Sequence, residues 1–430
     1  MTPIRLFLQP HAFAVFFLCR VIGVVLRPLT LLVALTLPDG QFARDYALVL
    51  TAMVSSVVIY GNQNHRAVYA YFIGDTPQRR GLGGTRKVLC YIDGVAVHMI
   101  LFAPPVGAVV WIWTESMHLW ALVMALVVME KFFDDHQRAL IYQRRYLEWS
   151  AHFVFRTILP SGAILVMVLI FGAGSVTLYT ALCLAFFLCY ISLVSSKFTG
   201  VITAWALHVG REGVRGVRGR AGSYLKAYGR EYLGAQVFSI LAMNILLVDR
   251  YFVNAAFPET FASYVFAVNI FATLPLVHNI FHFTRIRPAL MDAERPVLPT
   301  ILSARNLLPP VALAVIALLS FRLLITLGWI ESPLEAATLG WLALAYFLAA
   351  ISMVAQEFVF WRSKRGPLVV LHAVLFMAMF AVLNILPPSV ETIAMALVLI
   401  LALRLVGLVW LSLSVHPRLR LPSSVVEECR

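Results

Sequence analysis

Apolar stretches close to the length a helix needs to cross a bilayer, about 20 residues, recur along almost the whole sequence, and no long polar region separates them. Hydrophobic residues make up 61% and charged residues 13% of the 430, against roughly 25% charged in ordinary soluble domains. A water-soluble fold of this length has too little interior to hide that much apolar surface. The pattern predicts an all-α polytopic membrane protein with about twelve transmembrane helices and no sizeable domain outside the bilayer. The spans are placed near 11–37, 45–73, 88–113, 117–143, 148–171, 175–196, 232–256, 260–287, 305–328, 335–361, 366–386 and 391–414. The first stretch carries Arg20 and Arg27 and lacks a small-residue cleavage site, so it is expected to stay as a spanning helix rather than be removed as a signal peptide.

The net charge of +13 raises nucleic acid as a partner, but the placement of the charge speaks for topology. If the chain enters from the cytoplasm, nearly all loop Lys and Arg fall on that side, among them Arg79, Arg80, Arg144, Arg145, Arg218 and Arg365. The opposite loops carry only Arg44, with acids such as Asp39, Glu115, Glu259 and Glu391. That is the positive-inside asymmetry. It predicts a multi-pass membrane protein with both termini cytoplasmic, bound to membrane lipid and not to nucleic acid.

The longest polar interval, 197–231, is rich in Gly and Arg (Gly210 to Arg220 reads GREGVRGVRGR) and follows the sixth span. It divides the chain into an N-terminal six-helix lobe (1–200), a basic cytoplasmic linker (201–231) and a C-terminal six-helix lobe with a short basic tail (232–430). Six spans per half makes both halves enter from the same side, so a repeat relating them is parallel. Phe42-Ala43 and Tyr46 in the first half find an echo in Phe261-Ala262 and Tyr264 in the second. The outer loops are short, which leaves no room for the acceptor-binding domain of a glycan polymerase or glycosyltransferase. No stretch fits the phosphate-binding loop G-x-x-x-x-G-K-[ST], and the five scattered cysteines suggest neither disulfides nor a metal. No cofactor is expected.

Ionisable groups inside a span cost about 2.5–3.5 kcal/mol at the bilayer centre, so those that persist face a cavity or a partner. Arg20 and Arg27 are seven residues apart, on nearly the same face of the first span. They suit a pyrophosphate or acidic sugar through paired hydrogen bonds. The alternative is that Arg20 snorkels to the interface and Arg27 pairs with a carboxylate. Pro28 is expected to disturb the helix beside Arg27. Asn62, Asn64 and Arg66 belong to a polar run that lines a cavity or marks a helix exit. Asp93 and His98 are candidates for ion coupling or for packing. Glu130, Lys131, Asp134, Asp135 and His136 read as a solvated cytoplasmic helix end. In the second half, Asp249 and Arg250 are cavity candidates, His278 and His282 lack a third metal ligand, and Arg404 has Glu357 as a possible counter-ion. The surplus of buried cations favours an anionic cargo.

Phe17-Leu18-Cys19-Arg20-Val21-Ile22-Gly23 with Arg27 resembles the first helix of the multidrug/oligosaccharidyl-lipid/polysaccharide (MOP) exporter superfamily. Val248-Asp249-Arg250-Tyr251-Phe252 with Pro258 to Tyr264 is similar to the seventh-helix segment of its polysaccharide (O-antigen type) flippase branch, and Gln143-Arg144-Arg145-Tyr146 fits the family's fourth-helix exit. The resemblance implies two lobes around a central cavity and alternating access. It also implies transport, without enzymatic activity, of an undecaprenyl-pyrophosphate-linked oligosaccharide, as in lipopolysaccharide biosynthesis, by a monomer associated with glycan-assembly enzymes. It makes Arg20 and Arg27 the leading cavity cations. Three further readings stand beside it: a multidrug or organic-cation antiporter, which needs cavity carboxylates such as Asp93, a membrane-embedded glycan-processing enzyme, and a non-transporting scaffold in a glycan-assembly complex.

Overall fold

The computed structural model describes residues 3–37, 40–60, 84–142, 145–172, 175–195, 198–281, 297–328, 334–362 and 365–414. The polar run with Asn62, Asn64 and Arg66 lies outside them, as does His282. Among the described residues there is helix and no strand. The helices are α1 (Pro3–Leu35), α2 (Gly40–Ile59), α3 (Gly84–Thr114), α4 (Met117–Tyr142), α5 (Tyr146–Phe171) and α6 (Ser175–Ser195). They continue with α7 (Phe198–Asn244), α8 (Val248–Ala256), α9 (Phe261–Phe271), α10 (Thr273–Phe281), α11 (Val297–Ile301), α12 (Ala304–Thr326), α13 (Ala336–Arg362), α14 (Arg365–Ile385) and α15 (Val390–Ser414).

Ten of these stretches are long and apolar enough to cross a membrane, and the end of α7 with α8, bent by 41°, supplies an eleventh. The twelfth predicted position is occupied by α4, whose polar second half keeps it from reading as a span by composition. The chain is a multi-pass membrane protein. Large apolar side chains such as Ile100, Phe171, Ile316, Val406 and Trp410 are exposed on its helices, as a lipid-facing surface requires.

The chain divides into two compact units, Met1–Ser239 and Ile240–Arg430. In the first, α1 packs along α5, α2 lies between α3 and α4, and α5 pairs with α6. Gly23 permits the approach of α1 to α5: a Cβ there would meet the Phe153 ring at 2.5 Å and Thr157 Cγ2 at 3.2 Å. Below this crossing, Phe16, Cys19, Leu140 and Trp149 form an aromatic-rich cluster. In the second unit α13 and α15 make the most extensive pairing. Its interior includes Ala345, Ala349, Ala350, Ala394 and Ala396, small residues that let helix backbones approach where lipid gives no hydrophobic drive. Gly407 brings α15 onto Leu371 of α14 in the same way.

Two backbone features differ from the sequence expectation. The helix of α1 runs unbroken through Pro28, so the missing N–H disturbs no more than one hydrogen bond there. The basic interval after the sixth span is helical as part of α7, although Gly210, Gly213, Gly216, Gly219 and Gly222 recur every third residue and each costs about 1 kcal/mol against Ala. Gly213 takes φ +66°, ψ −172° and kinks the helix, a conformation open essentially to Gly alone.

A cationic cavity in the first unit

A cavity of about 70 Å³ lies within the first unit, walled by α1, α2, α4, α5 and α6. At about 10–15 Å³ for each enclosed water it has room for several. Its wall is mainly apolar, with polar groups from Arg27, Tyr46, Glu130, Arg156, Thr157 and Ser161.

Arg156 reaches the cavity because α5 is π-helical over Val154–Ile158. The cause is local. Pro160 has no N–H to offer the Arg156 carbonyl four residues back, and the Leu159 N–H bonds the Val154 carbonyl instead. The Cys189 thiol donates to the Arg156 carbonyl at 3.8 Å. The guanidinium donates to Glu130 Oε1 at 2.7 Å and to Gln137 Oε1 at 2.8 Å, and its centre lies 5.9 Å from the Phe133 ring. These contacts correct the reading of a solvated helix end for Glu130 and Lys131, while the side chains of Asp135 and His136 lie outside the described residues. Lys131 is 2% exposed, Phe133 and Gln137 are buried, and Glu130 is turned inward.

The two arginines of α1 part company. Arg27 lines the cavity with Tyr46, and among the described residues no carboxylate pairs with it. With Glu130 bound to Arg156, the cavity retains a net positive charge. Arg20 is not in the cavity wall; its guanidinium lies 5.5 Å from the Phe16 ring and 5.6 Å from the Trp149 ring, a cation–π seat.

Asp93 and His98 are placed elsewhere. Asp93 is fully buried and accepts hydrogen bonds from Trp205 Nε1 at 2.7 Å and from Arg220, both on α7. Burial opposes the charge on Arg220, but hydrogen bonds and charge from Asp93, and then from Glu212, overcome it and raise its pKa. His98 Nε2 donates to the Tyr60 carbonyl at 3.2 Å and its ring packs at a tilt of 34° against Phe102. Gln236 donates to the neighbouring Ile59 carbonyl.

In the second unit Asp249 and Arg250 are buried in the first turn of α8, directly after the bend, and Tyr264 OH donates to Asp249 Oδ2 at 2.7 Å. Phe42, Ala43 and Tyr46 are buried in α2, and Phe261, Ala262 and Tyr264 in α9. Each tyrosine sits with charged groups of its own unit, Tyr46 beside Arg27 in the cavity wall and Tyr264 on Asp249. Arg404 Nε donates to His372 Nε2 at 3.1 Å and the guanidinium is also bonded to Gln356; the side chain of Glu357, the possible counter-ion, lies outside the described residues. Among the described residues no group of three or more His, Cys, Asp or Glu is arranged to hold a metal.

Arg156 and its bond to Glu130 escaped the sequence reading. The available signal was a lone cation in an apolar stretch with proline four residues on.

No protein-family model matches the sequence, and no curated protein is significantly similar to it. Among solved structures, the crystal structure of a MATE point mutant, proline to alanine, aligns with 98% of this chain and 97% of its own at a TM-score of 0.50 and 12% identity. A MATE in complex with Br-NRF gives 0.48 at 12% identity over 94% and 96% of the two chains. The outward-facing conformation of a multidrug resistance MATE family transporter of the MOP superfamily gives 0.42 at 13% identity over 100% and 90%. The chain has the fold of the MATE transporters, as the likeness at 0.50 over nearly the whole of both chains shows.

Proposed function

We propose that this protein is a membrane transporter that moves an anionic amphiphile, of the lipid-linked oligosaccharide class, across the bacterial inner membrane by alternating access. The observation that carries this reading is Arg27: a guanidinium in a mainly apolar cavity wall with no carboxylate of its own among the described residues, while the one carboxylate in the wall is held by Arg156. A pyrophosphate or acidic sugar supplies the missing charge through two parallel N–H···O bonds, the geometry a guanidinium favours. Asp93, the first-half carboxylate that an organic-cation antiporter would need, is already bonded to Trp205 and Arg220.

The test is reconstitution into vesicles with a fluorescent polyprenyl-pyrophosphate oligosaccharide in one leaflet, with ethidium efflux measured in parallel. Transfer of the labelled lipid to the other leaflet is expected, reduced roughly tenfold or more in Arg27→Ala, since charge-assisted bonds contribute about 1.5–3 kcal/mol, and partly kept in Arg27→Lys. Ethidium efflux without transfer of the lipid would favour the drug-antiport reading and overturn this one.

A further inference from the structure

The segment after the sixth span is the most basic part of the described chain, and the cavity makes no use of it. Trp205 precedes and Arg220 follows the Gly213 kink, yet both bond Asp93. The kink is what brings them together, since a straight helix would hold them about 22 Å apart at 1.5 Å per residue. Glu212 locks the bend: one carboxylate oxygen takes the Arg220 guanidinium and the other takes His208 Nε2 at 3.0 Å. Gly216 leaves space for this, because a Cβ there would meet Glu212 Oε2 at 2.6 Å and Glu212 Cβ at 2.7 Å.

Asp93 lies in the third turn of α3, which opens on Gly84-Thr85-Arg86-Lys87 ahead of its apolar run, so what bonds it stands toward that end of the span. Held there, the segment turns Arg211, Arg215 and Arg218 outward, all exposed, with Leu207 60% exposed on the preceding turns. Arg215 and Arg218 are within about 8 Å of Arg220 along the helix axis, inside one Debye length, about 8 Å at physiological salt.

We propose that the kinked segment Thr203 to Gly222 is a docking surface for anionic phospholipid, with Arg211, Arg215 and Arg218 on headgroup phosphates and Leu207 at the acyl boundary. Charge complementarity and the fixed position at a span end select a lipid surface as the occupant. Clustered Lys and Arg beside a span are drawn to an anionic leaflet, and an exposed apolar residue next to them fits an interfacial helix. The Asp93 bonds orient the arginines toward that surface before any lipid arrives. The inference is independent of the cargo.

Hydrogen–deuterium exchange of the intact chain in nanodiscs tests it without reference to transport. Backbone amides of 203–222 are expected to exchange about tenfold more slowly in phosphatidylcholine with phosphatidylglycerol than in phosphatidylcholine alone. The difference should vanish at high salt and in the Arg211→Gln, Arg215→Gln, Arg218→Gln triple variant, while protection of Val390–Ser414 stays unchanged. Equal exchange of the wild type in the two lipids, or lipid-dependent protection that survives high salt, would overturn the proposal, and neither measurement relies on the variant folding.

Discussion

Gly23 connects a sequence resemblance to packing. It is the glycine of the Arg20-Val21-Ile22-Gly23 run, and it faces the Phe153 ring at the point where α5 enters its π turn. Gly23→Val is expected to destabilise the protein by about 1–3 kcal/mol, the usual cost of overpacking, seen as a lower midpoint in thermal unfolding in detergent. An unchanged midpoint would mean that α1 and α5 are not in contact there. Arg404 behaves in the opposite sense. Among the described residues its buried cation is held by neutral acceptors, and replacing such a charge by an apolar side chain of similar length is often neutral or stabilising, whereas removing one acceptor leaves it unsatisfied. Arg404→Met should therefore keep or raise the unfolding midpoint, and Gln356→Leu should lower stability by about 1–3 kcal/mol.

At the scale of elements, the π turn of α5 sets the cavity chemistry. Pro160→Ala restores an N–H for the Arg156 carbonyl and is expected to let α5 revert to regular helix, turning Arg156 away from Glu130 and releasing the Cys189 thiol. Maleimide labelling read residue by residue should rise at Cys189, which is buried, with Cys183, which is already exposed, as the internal reference. No rise at Cys189 would contradict the assignment of the turn to Pro160. The spans were legible because a 20-residue apolar run has few other uses. The helix of α7 was not, because glycine at every third position masks any periodicity, and its helical form depends on the bonds of Trp205 and Arg220 to Asp93, residues far away in sequence. The same reason hid Arg156: its role follows from a π turn and a partner 26 residues earlier.

At the scale of the molecule, membrane residence and a helical fold follow from apolar length alone, and the likeness to a MATE structure agrees with the fold. Of the candidate site, Arg27 was readable as a cation within a span that needs a partner or a cavity, and it lies in a cavity. Arg20 shares its helix face in sequence, but Phe16 one turn earlier on α1 and Trp149 of α5 capture it, and a neighbour such as Trp149, contributed by another helix, is invisible to periodicity. Asp93 and His98 met backbone and linker partners for the same reason. The positive balance of the cavity is thus a property of five helices together. It is tested most directly by titrating purified protein with a short-chain polyprenyl-pyrophosphate saccharide in a calorimeter. The account predicts binding weakened about tenfold in Arg27→Gln and strengthened in Glu130→Gln, where Arg156 is freed for the anion. The reverse order, with the loss of Glu130 weakening binding and the loss of Arg27 leaving it unchanged, would contradict it.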